Sequence, residues 1–283
     1  MNKLIVYLLG FVIVTTACQR EISGNEPPEP PSPTTDSTLK NVAYGDDAVQ
    51  KMDVYLPALR TAKTKTIIYL HSGAWSAGDK SEGTKTAIYF QKKGFGFISI
   101  NYRLTVVPTN INPAQMQDIE KALNLVSSRG AQWNISGNNI CLFGTSAGAH
   151  LSLLYSYKYK EDTRVKGVIS VCGPTDLTDS ILINGPLKPY IQAFVGYEFS
   201  QNKNAYLKAS PVNYLLNNCV PTLLIHGTAD KTVPYLESVS VYNILKSYGV
   251  NAELKLFERL GHDLTSVNNE MLLDMEKFLK TAY

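Results

Sequence analysis

Residues Gly144-Thr145-Ser146-Ala147-Gly148 set a serine between two glycines, directly after the apolar run Ile140-Cys141-Leu142-Phe143 and directly before a helical pattern. A Gly-x-Ser-x-Gly on such a strand-to-helix turn has the form of a nucleophile elbow. A turn that tight strains the serine backbone, and the flanking glycines keep side chains from colliding with neighbouring backbone. The hydroxyl then projects clear of the sheet, and the chemistry implied is attack by Ser146 on an acyl carbon.

A serine hydroxyl is a weak nucleophile at neutral pH, so it needs a base to take its proton and a group to orient that base. The chain has four histidines. His150 lies one turn past Ser146 on the same helix and points into packing, not back at the hydroxyl. His71 and His226 sit at strand ends that precede the expected acid. His262, in Leu260-Gly261-His262-Asp263 after the last apparent strand, is the natural base. Asp230 closes Leu223-Leu224-Ile225-His226-Gly227-Thr228-Ala229-Asp230, a strand running into a glycine turn, and is the expected acid. Asp263 is the rival but would struggle to reach the far ring nitrogen of its own neighbour, and Asp176 and Glu258 are weaker rivals.

The third requirement is backbone donors for the negative oxygen of the tetrahedral intermediate, each worth about 3 to 4 kcal/mol on removal. The Ala147 amide, directly after the nucleophile, is one. Others are expected from Ile68-Tyr69-Leu70-His71-Ser72-Gly73-Ala74-Trp75, where an apolar strand runs into small residues. Small residues let amides turn toward a ligand.

These residues need a scaffold that gathers strand ends. After the first fifty residues, short apolar runs alternate with amphipathic ones, which is what a parallel sheet with helices on both faces produces. Strands are expected at 52–56, 66–71, 95–102, 140–143, 165–171, 222–226 and 252–257. Helices are expected at 113–129, closed by Gly130, and at 147–155, 236–248 and 268–281. Ligands of such sheets gather outside the carboxyl ends of the strands, so Ser146, Asp230 and His262 can converge although far apart in sequence. Between Gly173 and Val220 the alternation stops among Pro174, Pro186, Pro189 and Pro211. A loop this long inside a domain is usually functional, and it reads as a short lid with Leu187, Tyr190, Phe194 and Tyr197 as candidate walls.

The N-terminus reads separately, as a signal peptide over 1–17. A basic start, an apolar run from Leu4 to Val14 too short to span a bilayer, and small residues before Cys18 have the form of a secretory signal. Cys18 is placed for lipidation as in a bacterial lipoprotein, although Thr15 stands where that signal usually has Leu, and ordinary cleavage is the alternative. Residues 18–40, rich in Pro and acidic groups, read as a tether, and at roughly 3.1 Å each about twenty extended residues reach some 60 Å. Residues 41–283 form the expected catalytic domain. The expectation is a secreted or cell-envelope protein, periplasmic or outer-membrane anchored, that meets the membrane only through this anchor.

With 44% hydrophobic residues, 18% charged residues and a net charge of +3 without long basic runs, the body reads as an ordinary globule with no nucleic-acid partner. Neither metal-ligand spacing nor a dinucleotide fingerprint implies a cofactor. Cys141 and Cys172 lie in apolar runs and read as buried hydrophobes, while Cys219 is a candidate to pair with one of them in an oxidising compartment.

The chain resembles α/β-hydrolase serine esterases of the hormone-sensitive-lipase-like and bacterial carbohydrate or feruloyl esterase type, over about residues 50 to 280. The resemblance rests on Asp53-Val54-Tyr55-Leu56-Pro57, His71-Ser72-Gly73-Ala74-Trp75, Asn101-Tyr102-Arg103-Leu104, Pro113-Ala114-Gln115-Met116-Gln117-Asp118, the elbow, Ser210-Pro211, His226-Gly227-Thr228-Ala229-Asp230 and Gly261-His262, in that order. It implies an α/β-hydrolase fold with a mostly parallel central sheet, helices on both faces and a short lid. It implies Ser146, Asp230 and His262 as the triad, Gly73, Ala74 and Ala147 as oxyanion donors, Asp118 and Arg103 as a structural ion pair, and His150 as a packing residue. The family's oxyanion loop usually reads His-Gly-Gly-Gly or His-Gly-Gly-Ala, whereas Ser72 and Ala74 here carry side chains. The short lid favours small or water-soluble esters.

The expected activity is hydrolysis of short-chain acyl esters by a serine carboxylesterase, with acetyl or feruloyl groups on carbohydrates as candidate substrates. Peptidase or amidase activity on the same fold, and a binding module without turnover, are the alternatives. About fifty residues ahead of the first domain strand are too few for the propeller that prolyl-oligopeptidase-like enzymes carry. A histidine base also predicts activity falling below about pH 6.5, the ordinary imidazole value.

Overall fold

The computed structural model describes residues 33–264 and 268–282. The expected signal peptide, Cys18 and the tether up to residue 32 lie outside the described residues.

The eight-stranded sheet has the order β1-β2-β4-β3-β5-β6-β7-β8. Its strands are β1 (Ser37–Ala43), β2 (Lys51–Leu56), β3 (Thr66–Leu70), β4 (Gly96–Ile100), β5 (Ile140–Thr145), β6 (Val165–Val171), β7 (Thr222–Gly227) and β8 (Ala252–Phe257). β1 pairs antiparallel with β2 and β2 antiparallel with β4. All other pairs are parallel, with Leu70 opposite Gly144 and Gly144 opposite Ser170. The fold is that of an α/β-hydrolase.

Successive strand residues face opposite layers, so the buried runs feed two cores. Ile68, Leu70, Leu142, Val168 and Leu224 pack in one core with residues of α2 (Ala114–Trp133), α3 (Ala147–Lys158) and α7 (Leu236–Ser247). Ile67, Tyr69, Phe143, Ile169 and Leu223 pack in the other with residues of α1 (Thr84–Lys92) and α8 (Asn268–Thr281). The inner strands β3, β5, β6 and β7 are therefore apolar on both sides, which explains their continuous hydrophobic runs.

Besides α1, which is not among the expected helices, and shifts of up to three residues at several other ends, three regions differ from expectation. β1 starts at Ser37, inside the stretch assigned to the tether, because an edge strand with nearly every side chain facing solvent shows no apolar alternation. It is held by backbone pairing and by Lys40, whose ammonium lies 2.9 Å from Asp53. α2 does not stop at Gly130 but runs to Trp133, where Asn134 in the left-handed region caps it. Gly130 is instead a contact glycine, since a Cβ there would lie 3.0 Å from the Gly137 nitrogen and the Ile135 carbonyl. The 173–220 segment contains α4 (Ser180–Asn184), α5 (Lys188–Val195) and α6 (Lys203–Ala209), each too short to print a clear period.

Candidate active site

The elbow forms because two glycines remove atoms that would not fit. A Cβ on Gly144 would lie 2.2 Å from the Gly148 carbonyl, and one on Gly148 would lie 2.1 Å from the Leu70 carbonyl oxygen. β5 can therefore turn straight into α3, leaving Ser146 at φ 53° and ψ −115°. The Ser146 amide donates to the Val171 carbonyl at 2.8 Å, which pins the strained residue to the end of β6. Strain of this kind persists only where the surroundings over-determine it.

Gly227 does the same for the other two loops. A Cβ there would sit 2.4 Å from both the Leu260 and Gly261 carbonyl oxygens. The loop after β7, carrying Asp230, and the loop after β8, carrying His262, thus lie against each other, and the Ala229 amide donates to the Leu260 carbonyl at 2.8 Å. His262 Nε2 lies 2.8 Å from Ser146 Oγ, and His262 Nδ1 lies 2.7 Å from Asp230 Oδ2. Three residues drawn from the ends of three strands thus form one continuous hydrogen-bonded chain.

The Asp230 carboxylate is heavily solvated by protein. Oδ1 accepts from the Thr232 and Val233 amides at 2.8 and 2.9 Å. Oδ2 is shared between His262 Nδ1 and His226 Nε2, the latter at 3.1 Å. Burial alone would raise this carboxyl, but the two imidazoles and the Val233 amide outweigh it and hold it well below the usual carboxylate range. The sequence offers His226 only as a rival base. Its Nε2 faces two acceptors, Asp230 Oδ2 and the Val233 carbonyl at 3.0 Å, so that nitrogen carries the proton and Nδ1 accepts from the Ser238 hydroxyl at 2.8 Å. The clue was a histidine four residues ahead of the acid in His226-Gly227-Thr228-Ala229-Asp230.

Cys172 completes this cluster, its ligand atom and those of His226 and Asp230 all lying within 4.8 Å of one another. The carboxylate and both His226 nitrogens are already engaged in hydrogen bonds. Burial, with Asp230 beside it, pushes the Cys172 thiol up to about 12, so it stays neutral. Cys172 and Cys219 are both free thiols, so the pairing considered for Cys219 is not formed.

Facing Ser146, the loop after β3 passes through three successive left-handed residues, Gly73 at φ 105°, Ala74 at 48° and Trp75 at 60°. A side chain at position 73 would lie 2.1 Å from the Ala77 carbonyl oxygen, so only glycine fits. Ser72 is used by the fold: its hydroxyl and amide donate to Glu82 Oε2 at 2.8 and 3.2 Å. Glu82 belongs to a capping box with Asp79 on the short 3₁₀ turn Lys80–Gly83. Burial works against the Asp79 charge, but the Ser81 amide and the Asn101 side chain dominate and hold it at about 2. Gly73 and Ala74 line a cavity of about 600 Å³ together with Ser146, His262, Leu187, Tyr190 and Thr232. Ala147 is the first residue of α3, where backbone amides are left without helical acceptors.

Two of the four expected walls are placed elsewhere. Leu187 and Tyr190 reach the cavity, but Phe194, one turn further along α5, is fully buried against Trp75, with ring centroids 4.8 Å apart. Tyr197 is exposed beyond the helix, its carbonyl accepting from the Tyr206 hydroxyl at 2.7 Å. Among the rivals, Asp263 also lines the cavity, the Asp176 amide donates to Glu237, and His71 lies buried, stacked on Tyr102 at 4.2 Å. Arg103 and Asp118 pair at 2.7 Å, with Gln50 donating to the same carboxylate at 2.7 Å.

Comparisons with known proteins follow the same outline. The BD-FAE family model matches residues 52–245. Esterase LipC of Mycobacterium tuberculosis is 26% identical over 223 residues, covering 74% of this chain and 55% of that protein. Kynurenine formamidase of Salmo salar is 31% identical over 157 residues, covering 53% and 51%. The chain thus spans about half the length of these relatives. A structure described as a truncated carbohydrate esterase from gut microbiota superposes with a TM-score of 0.73 at 24% identity, covering 89% of this chain and 98% of that one.

Proposed function

The chain belongs to the BD-FAE family, and on that premise we propose that it is a serine carboxylesterase acting through Ser146, His262 and Asp230. The single observation that supports this is the unbroken relay from Ser146 Oγ to His262 to Asp230, at 2.8 and 2.7 Å, opening into the cavity. Ser146 Oγ attacks the ester carbonyl carbon while His262 Nε2 takes its proton. The carbonyl oxygen, now negative, is held by the amides of Ala147 and of Gly73 or Ala74. Collapse breaks the bond to the alcohol, which leaves with the proton from His262. Water then attacks the acyl-enzyme, His262 again taking a proton, and the carboxylic acid departs. Asp230 holds the imidazole in the tautomer with its proton on Nδ1 and stabilises the imidazolium.

The substrates proposed are short-chain acyl esters, with acetyl or feruloyl groups on carbohydrates as the natural class. Support comes from the likeness to a carbohydrate esterase and from a cavity that sets Ser72, Ser76 and Thr232 beside Leu187 and Tyr190. The test is a panel of acetylated sugars, feruloyl esters, simple acyl esters and matched anilides against one preparation. Turnover of esters ahead of their anilides is expected. Cleavage of a formanilide with no ester turned over would transfer the assignment to a formamidase, the reading that the Salmo salar relative favours.

The N-terminal sequence supports a secreted or envelope-anchored location with Cys18 as the lipidated residue. In a bacterial host, Cys18→Ser is expected to move the protein from the membrane fraction to the soluble one. An unchanged distribution would remove the anchor from the proposal.

A further inference from the structure

The oxyanion loop poses a problem that its own residues do not solve. Ala74 and Trp75 occupy the left-handed region, which is costly for residues with a Cβ, and they follow Gly73 in the same region. A loop with that preference against it keeps its amides aimed only if something outside holds it.

The holding contacts converge on one side chain of the nucleophile's own helix. Trp75 is fully buried, and its indole N–H donates to His150 Nδ1 at 3.2 Å, with the two rings edge-on at 86° and 5.1 Å. The other ring nitrogen, His150 Nε2, donates to the Ala209 carbonyl at 2.8 Å. This arrangement fixes the tautomer, because Nε2 faces an acceptor and Nδ1 faces a donor. Phe194 of α5 closes the cluster, stacked on Trp75 and edge-on to His150 at 5.3 Å. The Trp75 carbonyl is also taken, by the Thr105 amide at 2.8 Å. His150 lies one turn after Ser146 in α3, so one rigid helix carries both the nucleophile and the anchor of the loop opposite it.

We propose that His150 and Trp75 are positioning residues that lock the Gly73-Ala74 amides at a fixed distance from Ser146 Oγ. The inference rests on the serine-esterase reading. Burial drives the His150 imidazole down to about 4, so Nδ1 keeps its lone pair for Trp75 throughout the working range of such an enzyme. Tyr190, and Leu187 as the N-cap of α5, line the cavity, and Phe194 lies further along the same helix, so the lid wall and the oxyanion loop are seated on the same cluster. The contribution belongs to the transition state: aimed amides matter when negative charge develops on the carbonyl oxygen, and little for ground-state binding.

The test compares the full chain with Trp75→Phe, His150→Phe, His150→Gln and His150→Asn on p-nitrophenyl acetate. Rates are divided by the number of sites titrated with a fluorophosphonate, so a poorly folding variant is not mistaken for a slow one. Trp75→Phe keeps a ring to stack on Phe194 and removes the N–H donor together with part of the indole, so it is read beside His150→Gln, which leaves the indole whole. His150→Asn places its oxygen where Nδ1 was and keeps the Trp75 bond, whereas His150→Gln reaches toward Ala209 and loses it. Loss of aim at the oxyanion donors is expected to lower kcat per site about 30-fold in Trp75→Phe and His150→Gln and about 100-fold in His150→Phe, with KM within about threefold. His150→Asn should stay within about fivefold of the parent, an ordering that a purely structural role does not produce. Equal kcat per site in the parent, Trp75→Phe and His150→Gln would overturn the inference, as would an Asn variant as slow as the Gln variant. A parent no faster than Ser146→Ala removes the esterase reading and this inference with it.

Discussion

Ser146→Ala is expected to lower kcat on p-nitrophenyl acetate about 10⁵-fold while leaving KM and thermal stability close to the parent's. The fold should survive because the strained backbone at φ 53° is held from outside, by the amide bond to Val171 and by the clearance at Gly144 and Gly148. Alanine meets the same backbone penalty as serine, so the change removes the hydroxyl and little else. What remains after substitution is binding and whatever the aimed amides do for water attacking directly. A variant that kept the parent rate would place the nucleophile elsewhere.

Asp230→Asn is expected to cost about 10⁴ in kcat and also to destabilise the protein. The carboxylate receives donors on both oxygens: two backbone amides at Oδ1 and two imidazole nitrogens at Oδ2. A carboxamide has one oxygen, so its NH₂ must face one of these pairs. Turned toward the imidazoles, it meets the His226 Nε2 proton and drives His262 into the tautomer with hydrogen on Nε2, which then faces Ser146 as a donor and not a base. Turned toward the backbone, it leaves the Thr232 and Val233 amides buried against another donor, at about 1 to 3 kcal/mol each. The parent should also show an acid limb that the variant lacks. A carboxyl whose folded pKa is depressed contributes stability that is present above the ordinary value of about 3.9 and is lost as pH falls below it. Denaturant titrations of both proteins from pH 6 to pH 3 read this directly, and parallel slopes would contradict it.

Much of the scaffold was legible because its inner strands are buried on both faces and its longer helices carry an apolar stripe. β6, β8 and α8 fall on the residues that the apolar runs and helical spacing indicate. β1 was not legible, since an edge strand is ordered by backbone pairing and its side chains carry no pattern. Gly130 misled for a related reason: a glycine demanded by a contact with Gly137 looks the same in sequence as one that ends a helix. At the site, the residue types and the chain order Ser, Asp, His singled out the three groups that the fold brings within hydrogen-bonding reach. Contacts across long stretches of chain carried no such signal. Trp75 and His150 are 75 residues apart, and Ser72 meets Glu82 only because the 3₁₀ turn Lys80–Gly83 carries that carboxylate back to it. Leu187, Tyr190 and Phe194 are spaced like one helical stripe, yet the first two line the cavity and the third is buried against Trp75.

The most direct measurement is to label the purified, folded protein with a fluorophosphonate and locate the adduct by peptide mass spectrometry. The account predicts one adduct per chain, on Ser146, and none on the Ser146→Ala protein. An adduct on another residue, or an unlabelled Ser146 in protein that hydrolyses esters, would contradict it.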